Sequence, residues 1–286
     1  MSTHELPVPG ARLFIETRGS DAAEPLVLLH GGPAAGARYL QPYCDALAQG
    51  SPGRRLVYYD QRGSERSPLD ADSAPAGYER QVEDLEAVRT WLGVSQLTLG
   101  GYSWGGLLAL LYALAHPDRV ERLLLISPAP TYAAARAEYQ RRFVAAGQRP
   151  QVQALRRELL EPPPADPEQA RQYRFALAVS GYFVDPRRAL ELTPFRIPQR
   201  VEQAIWQSLG DYDLRSQLPS LSHIPALVIH GEDDIIPVAT AAETAQLLGA
   251  QFVRLADCGH VPYIEAAPAL FGAAREFLGG SSPTAS

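Results

Sequence analysis

Residues Gln96–Leu99 (QLTL), Gly100–Gly106 (GGYSWGG) and Leu107–Ala115 (LLALLYALA) are the stretch on which the reading of this chain turns. An apolar, strand-like run enters a glycine-rich turn, and the turn opens an apolar helix. That helix stops at His116-Pro117, because the residue before a proline is pushed out of the α region. Within the turn, Gly101-Tyr102-Ser103-Trp104-Gly105 fits G-x-S-x-G. A strand that reverses this sharply into a helix holds its central serine in a strained conformation. Only small residues two positions to either side let helix and strand approach. The hydroxyl is lifted clear of the sheet at a helix N-terminus, where free N–H groups and the dipole favour negative charge.

The same rhythm continues in both directions. Ala11–Thr17, Leu26–Leu29, Leu56–Tyr59, Arg122–Ser127, Ile224–His230 and Gln251–Ala256 read as strands. Helical stretches are predicted around Tyr39–Ala48, Tyr78–Leu92, Val238–Leu248 and Pro268–Leu278. This alternation is that of an α/β fold with a mostly parallel central sheet flanked by helices. The rhythm breaks over residues 129–218, which hold no comparable strand but three prolines at 162–164 and an Asp166-Pro167 step. A helical insertion is expected there, with 1–128 and 219–280 forming one core around it. The small, polar tail 281–286 is expected to fray.

At 286 residues with 46% hydrophobic and 20% charged content, the chain has material for one sizeable α/β core. Its net charge of −6 argues against a nucleic-acid or anionic-membrane surface, since both want a basic face. All 26 basic residues are Arg, so a Schiff-base or P-loop lysine does not exist here. The two cysteines, Cys44 and Cys258, make neither a disulfide framework nor a four-thiolate zinc site. The N-terminus lacks a signal-peptide pattern, and no run approaches the length of a membrane span. The expectation is a cytoplasmic protein that uses no cofactor or metal and acts on a small molecule or short peptide.

A serine nucleophile needs a base, and the base needs an orienting acid. His260, in Asp257-Cys258-Gly259-His260-Val261-Pro262, follows the last strand, on the same sheet edge as Ser103. The acid is expected after the Ile224–His230 strand, in Gly231-Glu232-Asp233-Asp234-Ile235-Ile236-Pro237. Counting from Gly231 favours Asp234; counting back from Pro237 favours Asp233. We take Asp234, because the strand fixes the register on its own side, and keep Asp233 as the alternative. The oxyanion hole is assigned to the N–H groups of Trp104 and of Gly32. His30 and His230 also end strands and read as shaping their own turns. Cys258 reads as a buried small hydrophobe. Tyr173, Phe175, Tyr182, Phe183, Phe195 and Trp206 in the insertion read as core or as the lining of an apolar pocket.

With these residues in place, the chain resembles the α/β-hydrolase fold and, within it, the proline iminopeptidases. The resemblance rests on His30-Gly31-Gly32-Pro33, on Asp60-Gln61-Arg62-Gly63-Ser64 with Arg66-Ser67, on Gly101–Gly106 and on Gly259-His260. It implies a helical cap inserted after the sixth strand, and release of an N-terminal residue, often proline, through an acyl-enzyme. It also implies cap glutamates that receive the substrate's α-amine. Glu202, nine residues before Asp211-Tyr212-Asp213, matches one of them. Where some members carry a second glutamate just after the catalytic acid, this chain has Ile235. An esterase, lactonase or carbon–carbon bond hydrolase with the same triad is the alternative, and a non-catalytic ligand-binding protein on this scaffold is a more remote one.

Overall fold

The computed structural model describes residues 1–49 and 53–280; the tail 281–286 lies outside the described residues. Eight strands form one sheet: β1 (Ser2–Val8), β2 (Ala11–Arg18), β3 (Pro25–Leu29), β4 (Arg55–Tyr59), β5 (Leu97–Tyr102), β6 (Val120–Ile126), β7 (Ala226–Gly231) and β8 (Gln251–Leu255). Their order is β1-β2-β4-β3-β5-β6-β7-β8. The first two strands are antiparallel to their neighbours, and all pairs from β4 to β8 are parallel. A parallel sheet is covered on both faces, so its central strands read as nearly continuous apolar runs. Val27 and Leu29 of β3 and Val57 and Tyr59 of β4 face one core with the helices Tyr78–Leu92, Trp104–Ala115 and Val238–Leu248. Leu26, Leu28, Leu56 and Tyr58 face the other, with the helix Ala267–Gly279.

Sequence patterning did not identify β1. It is an edge strand with mostly exposed or half-exposed residues, so its alternation lacks a strong apolar face. It joins β2 through a turn at Pro9-Gly10, where Gly10 takes φ +79°. The stretch expected to be helical around Tyr39–Ala48 is helical in three short pieces: a 3-10 helix at Ala37–Tyr39, one α-helical turn at Gln41–Cys44 with Pro42 in it, and a 3-10 helix at Asp45–Ala48. The helix after Ser103 begins at Trp104, earlier than the apolar run implied.

Between β6 and β7 the described residues hold no strand. Helices run over Ala133–Gly147, Pro150–Leu160, Pro167–Val179 and Gln199–Leu209. Proline opens the second and third of them, and Asp166 caps the third by accepting from the Glu168 N–H at 3.0 Å. This segment packs on the sheet through both cores: Val201 and Ile205 join one, Val179 and Phe183 the other.

Candidate active site

Ser103 stands between β5 and its helix with φ 53° and ψ −118°, a region costly for a side chain other than glycine. Its N–H donates to the Ile126 carbonyl at 3.0 Å, and its own carbonyl accepts from Ala129 at 2.9 Å, so both neighbouring segments hold the strained residue. The flanking glycines are a steric necessity. A Cβ at Gly105 would lie 2.1 Å from the Leu29 carbonyl oxygen, and one at Gly101 2.4 Å from the Gly105 carbonyl oxygen.

Three residues from three loops meet here. His260 Nε2 is 3.1 Å from Ser103 Oγ, and His260 Nδ1 is 2.9 and 3.1 Å from the two oxygens of Asp234. A carboxylate against Nδ1 favours the proton there, which leaves Nε2 to accept from the serine hydroxyl. Asp234 is buried, whereas Asp233 is exposed, so the partner of His260 is Asp234. Burial by itself would raise the Asp234 carboxyl. The charges of His260 and His230 and hydrogen bonds from His260 and the Ile236 N–H outweigh it, and the carboxyl lies below the ordinary range. His230 thus does more than shape its turn: its Nε2 lies 2.9 Å from the Ile236 carbonyl and 3.5 Å from Asp234.

The loop carrying His260 is fastened from the opposite side of the cleft. The His260 N–H donates to the Tyr182 carbonyl at 2.7 Å, and Tyr102 Oη donates to the His260 carbonyl at 3.0 Å. Gly259 N–H donates to Glu265 at 2.9 Å. A Cβ at residue 259 would come within 2.3 Å of the Tyr182 carbonyl oxygen, which explains the glycine before the histidine. Cys258 is buried and burial pushes its thiol up to about 12, so it holds its proton at neutral pH.

Gly32 and Trp104 line the same small cavity as Ser103. Their N–H groups donate to no other group of the described protein, as an anion site requires. Gly32 has φ +127°, and the adjacent Gly31 N–H donates to Tyr39 Oη at 2.8 Å. The Asp60–Ser67 motif explains itself as the brace for this loop. Gln61 gives its backbone N–H to His30 Nε2 at 3.0 Å and its side-chain amide to the His30 carbonyl at 2.8 Å. His30 therefore carries its proton on Nδ1, which donates to the Gly31 carbonyl at 2.8 Å. The Trp104 indole donates to Gln61 Oε1 at 3.0 Å, so one glutamine ties the Gly32 loop to the helix after Ser103. Asp60 accepts from Ala37 and from Arg66, each at 2.8 Å.

Two cavities meet at Ser103. The larger, about 140 Å³, is walled mainly by aromatic rings, among them Tyr39, Tyr102, Tyr139, Phe143, Tyr182, Phe195 and Tyr263. Tyr139 and Tyr182 share a hydrogen bond at 3.1 Å, and both rings lie near the His260 imidazole. The smaller, about 50 Å³, is lined by Arg136, Gln140, Glu202 and Trp206 besides Ser103, Gly32 and Trp104. Glu202 therefore reaches the serine's surroundings. Burial raises its carboxyl, and the positive charge of Arg136 opposes that rise. The residue after the acid that faces this cavity is Ile236 rather than Ile235, and it is equally unable to bind an ammonium. Of the insertion's aromatics, Tyr182, Phe195 and Trp206 line the cavities; Phe183 is core, and Tyr173 packs in a separate small cluster. Arg136, Tyr139 and Phe143 were not singled out from the sequence, where nothing separates them from other residues of an Arg- and Ala-rich helix.

Among the described residues no group of three or more His, Cys, Asp or Glu side chains could hold a metal ion, and no helix is long and apolar enough to cross a membrane.

Residues 24–267 match the alpha/beta hydrolase fold family. A proline iminopeptidase of Lactobacillus delbrueckii subsp. bulgaricus is 30% identical over 265 residues, covering 84% of this chain and 85% of that protein. The crystal structure of a proline iminopeptidase-related protein from Thermus thermophilus superposes with a TM-score of 0.74 at 26% identity, over 99% of this chain and 98% of that one. An esterase from Rhodococcus sp. ECU1013 superposes with a TM-score of 0.73 at 24% identity, covering 98% and 99%, and so shares the fold. The strained serine on its strand–helix turn, the sheet order and the match over most of the length agree: the chain belongs to the α/β-hydrolase fold family, with proline iminopeptidases among its sequence relatives.

Proposed function

We propose that this protein is a serine hydrolase that releases an N-terminal residue, in the manner of a proline iminopeptidase. The observation that carries the reading is the chain of contacts Ser103–His260–Asp234 at 3.1 and 2.9 Å, opening on a cavity that also holds Glu202. Ser103 attacks the scissile carbonyl while His260 takes its proton, and Asp234 stabilises the imidazolium. The oxyanion accepts hydrogen bonds from the Gly32 and Trp104 N–H groups. His260 then protonates the leaving amine, and water activated by the same imidazole releases the acyl group. Glu202 receives the substrate's α-ammonium. In this reading residues 1–128 and 219–280 carry the reacting groups, and 129–218 is the cap that closes over them.

The test is arylamine release from prolyl and other aminoacyl arylamides, with N-acetylated versions as control. Free-amine substrates are expected to be preferred; equal turnover of blocked and free forms overturns amine recognition by Glu202.

A second reading, hydrolysis of an ester, lactone or carbon–carbon bond by the same triad, is favoured by the aromatic walls of the larger cavity and by Ile236 in the smaller. Fast turnover of short-chain esters with no arylamide cleavage would establish it. Failure of Ser103 to react with a fluorophosphonate probe would leave only a ligand-binding role.

A further inference from the structure

The guanidinium of Arg136 lines the small cavity beside Ser103 and is held there by stacking alone. Its central carbon lies 3.9 Å from the centroid of Trp206, whose ring is held edge-on to Trp104 at 4.9 Å. Stacking uses the faces of a guanidinium and leaves its in-plane N–H donors for an acceptor. Among the described residues none is supplied: the Arg136 side chain makes no hydrogen bond and no ion pair. Glu202, in the same cavity, is close enough for its charge to be felt, yet the two make no contact within ion-pair distance. A half-buried cation normally finds such a partner, as Arg62 does with Asp84 and Arg66 with Asp60 in this fold. The cavity thus presents a positive and a negative group, side by side and each free of the other.

We infer that Arg136 binds a carboxylate of the substrate, so that the preferred substrates are short peptides carrying a free carboxylate close to the α-amine. A dipeptide with a free C-terminus has this form, and so does a peptide with an acidic second residue. The inference rests on the proposed role of Glu202 as the amine site. A planar carboxylate matches the forked donors of a guanidinium, and the small size of the cavity, about 50 Å³, calls for a compact charged group.

The experiment compares kcat/KM for Pro-Ala, Pro-Ala amide and Pro-Glu amide. Pro-Ala is expected to exceed its amide by roughly 10- to 100-fold, mostly through KM. In Arg136→Gln that ratio should fall to within about twofold of unity, and Arg136→Lys should keep part of it. The ratio is internal to each variant, so a loss of folded enzyme does not imitate the result. Pro-Glu amide separates the two sources: turnover like Pro-Ala means that a side-chain carboxylate serves, turnover like Pro-Ala amide that the C-terminal one is required. Equal turnover of all three by the wild type overturns the inference, as does a preference that persists in Arg136→Gln. If no proline peptide is cleaved while esters are, the aminopeptidase reading fails by itself. The carboxylate site is then judged on p-nitrophenyl hemisuccinate against p-nitrophenyl butyrate: a preference for the former that Arg136→Gln abolishes upholds it, and no preference removes it.

Discussion

At the carboxyl edge of the sheet, Ser103, Asp234 and His260 each follow a strand, and backbone contacts fix each one. Across the cleft, Arg136, Tyr139, Phe143 and Glu202 project from helices that lie between β6 and β7, and side-chain contacts, the Tyr139–Tyr182 hydrogen bond among them, orient them. A residue of the first kind is set within the turn that carries it, with a neighbouring strand at β-sheet spacing. One of the second kind depends on how whole helices settle on the sheet. In the proposed function, the contrast separates the chemistry of bond cleavage, at the sheet edge, from the choice of substrate, made by the opposite wall. The two meet beside the site where the Tyr182 carbonyl accepts the His260 N–H and where the Trp206 ring lies edge-on to Trp104.

The contrast is broken most directly at the nucleophile. Ser103→Ala is expected to reduce hydrolysis of any substrate by roughly 10⁶-fold with an unchanged circular dichroism spectrum; a loss below about 100-fold would move the chemistry elsewhere. Asp234→Asn should cost about 10⁴-fold in kcat, because the amide favours the wrong imidazole tautomer. The same variant reports on stability. The Asp234 carboxyl is lowered in the fold, so its ionisation stabilises the native state above the ordinary value of 3.8, and this is lost as pH falls through the lower folded value. Acid denaturation curves should accordingly be shallower below about pH 4 for Asp234→Asn than for the wild type, and parallel curves would contradict the assignment.

Gly105→Ala tests the backbone side of the comparison without touching a reacting group. Its Cβ would meet the Leu29 carbonyl at 2.1 Å, and we expect a loss of about 3 kcal/mol, read as a fall in Tm of roughly 6–10 °C. An unchanged Tm would show that the turn has slack. The smallest effect belongs to the opposite wall. Glu202→Gln should lower kcat/KM for free-amine arylamides by roughly 10- to 30-fold and leave N-acetylated ones nearly unaffected, the size of a lost charge-assisted hydrogen bond. Since burial raises the Glu202 carboxyl above its ordinary 4.5, the wild-type preference for free amines should fade as pH falls through that raised value. A preference independent of pH down to about 4 would exclude Glu202 as its source.

The edge that carries Ser103, Asp234 and His260 was legible because turn chemistry is local. G-x-S-x-G, the glycine before His260 and the Gly31-Gly32 pair each record a steric demand made within a few residues or by an adjacent strand. The pairing of His260 with Asp234 rather than Asp233 was only half legible: both acids sit in one loop, and its path decides which is buried. β1 escaped because an exposed edge strand needs no apolar face. Arg136 and Tyr139 escaped because helical periodicity says which face is buried, not against what.

The sequence by itself determined that a serine would stand strained at a strand–helix junction, with a histidine and a carboxylate behind it in chain order. Glycines at fixed offsets leave the backbone no other course. Only the tertiary structure decided that Arg136 and Glu202 would line the cavity beside Ser103 without pairing with each other. Helices far apart in the chain meet according to the packing of their side chains on the sheet, and no local rule of backbone geometry encodes that distance.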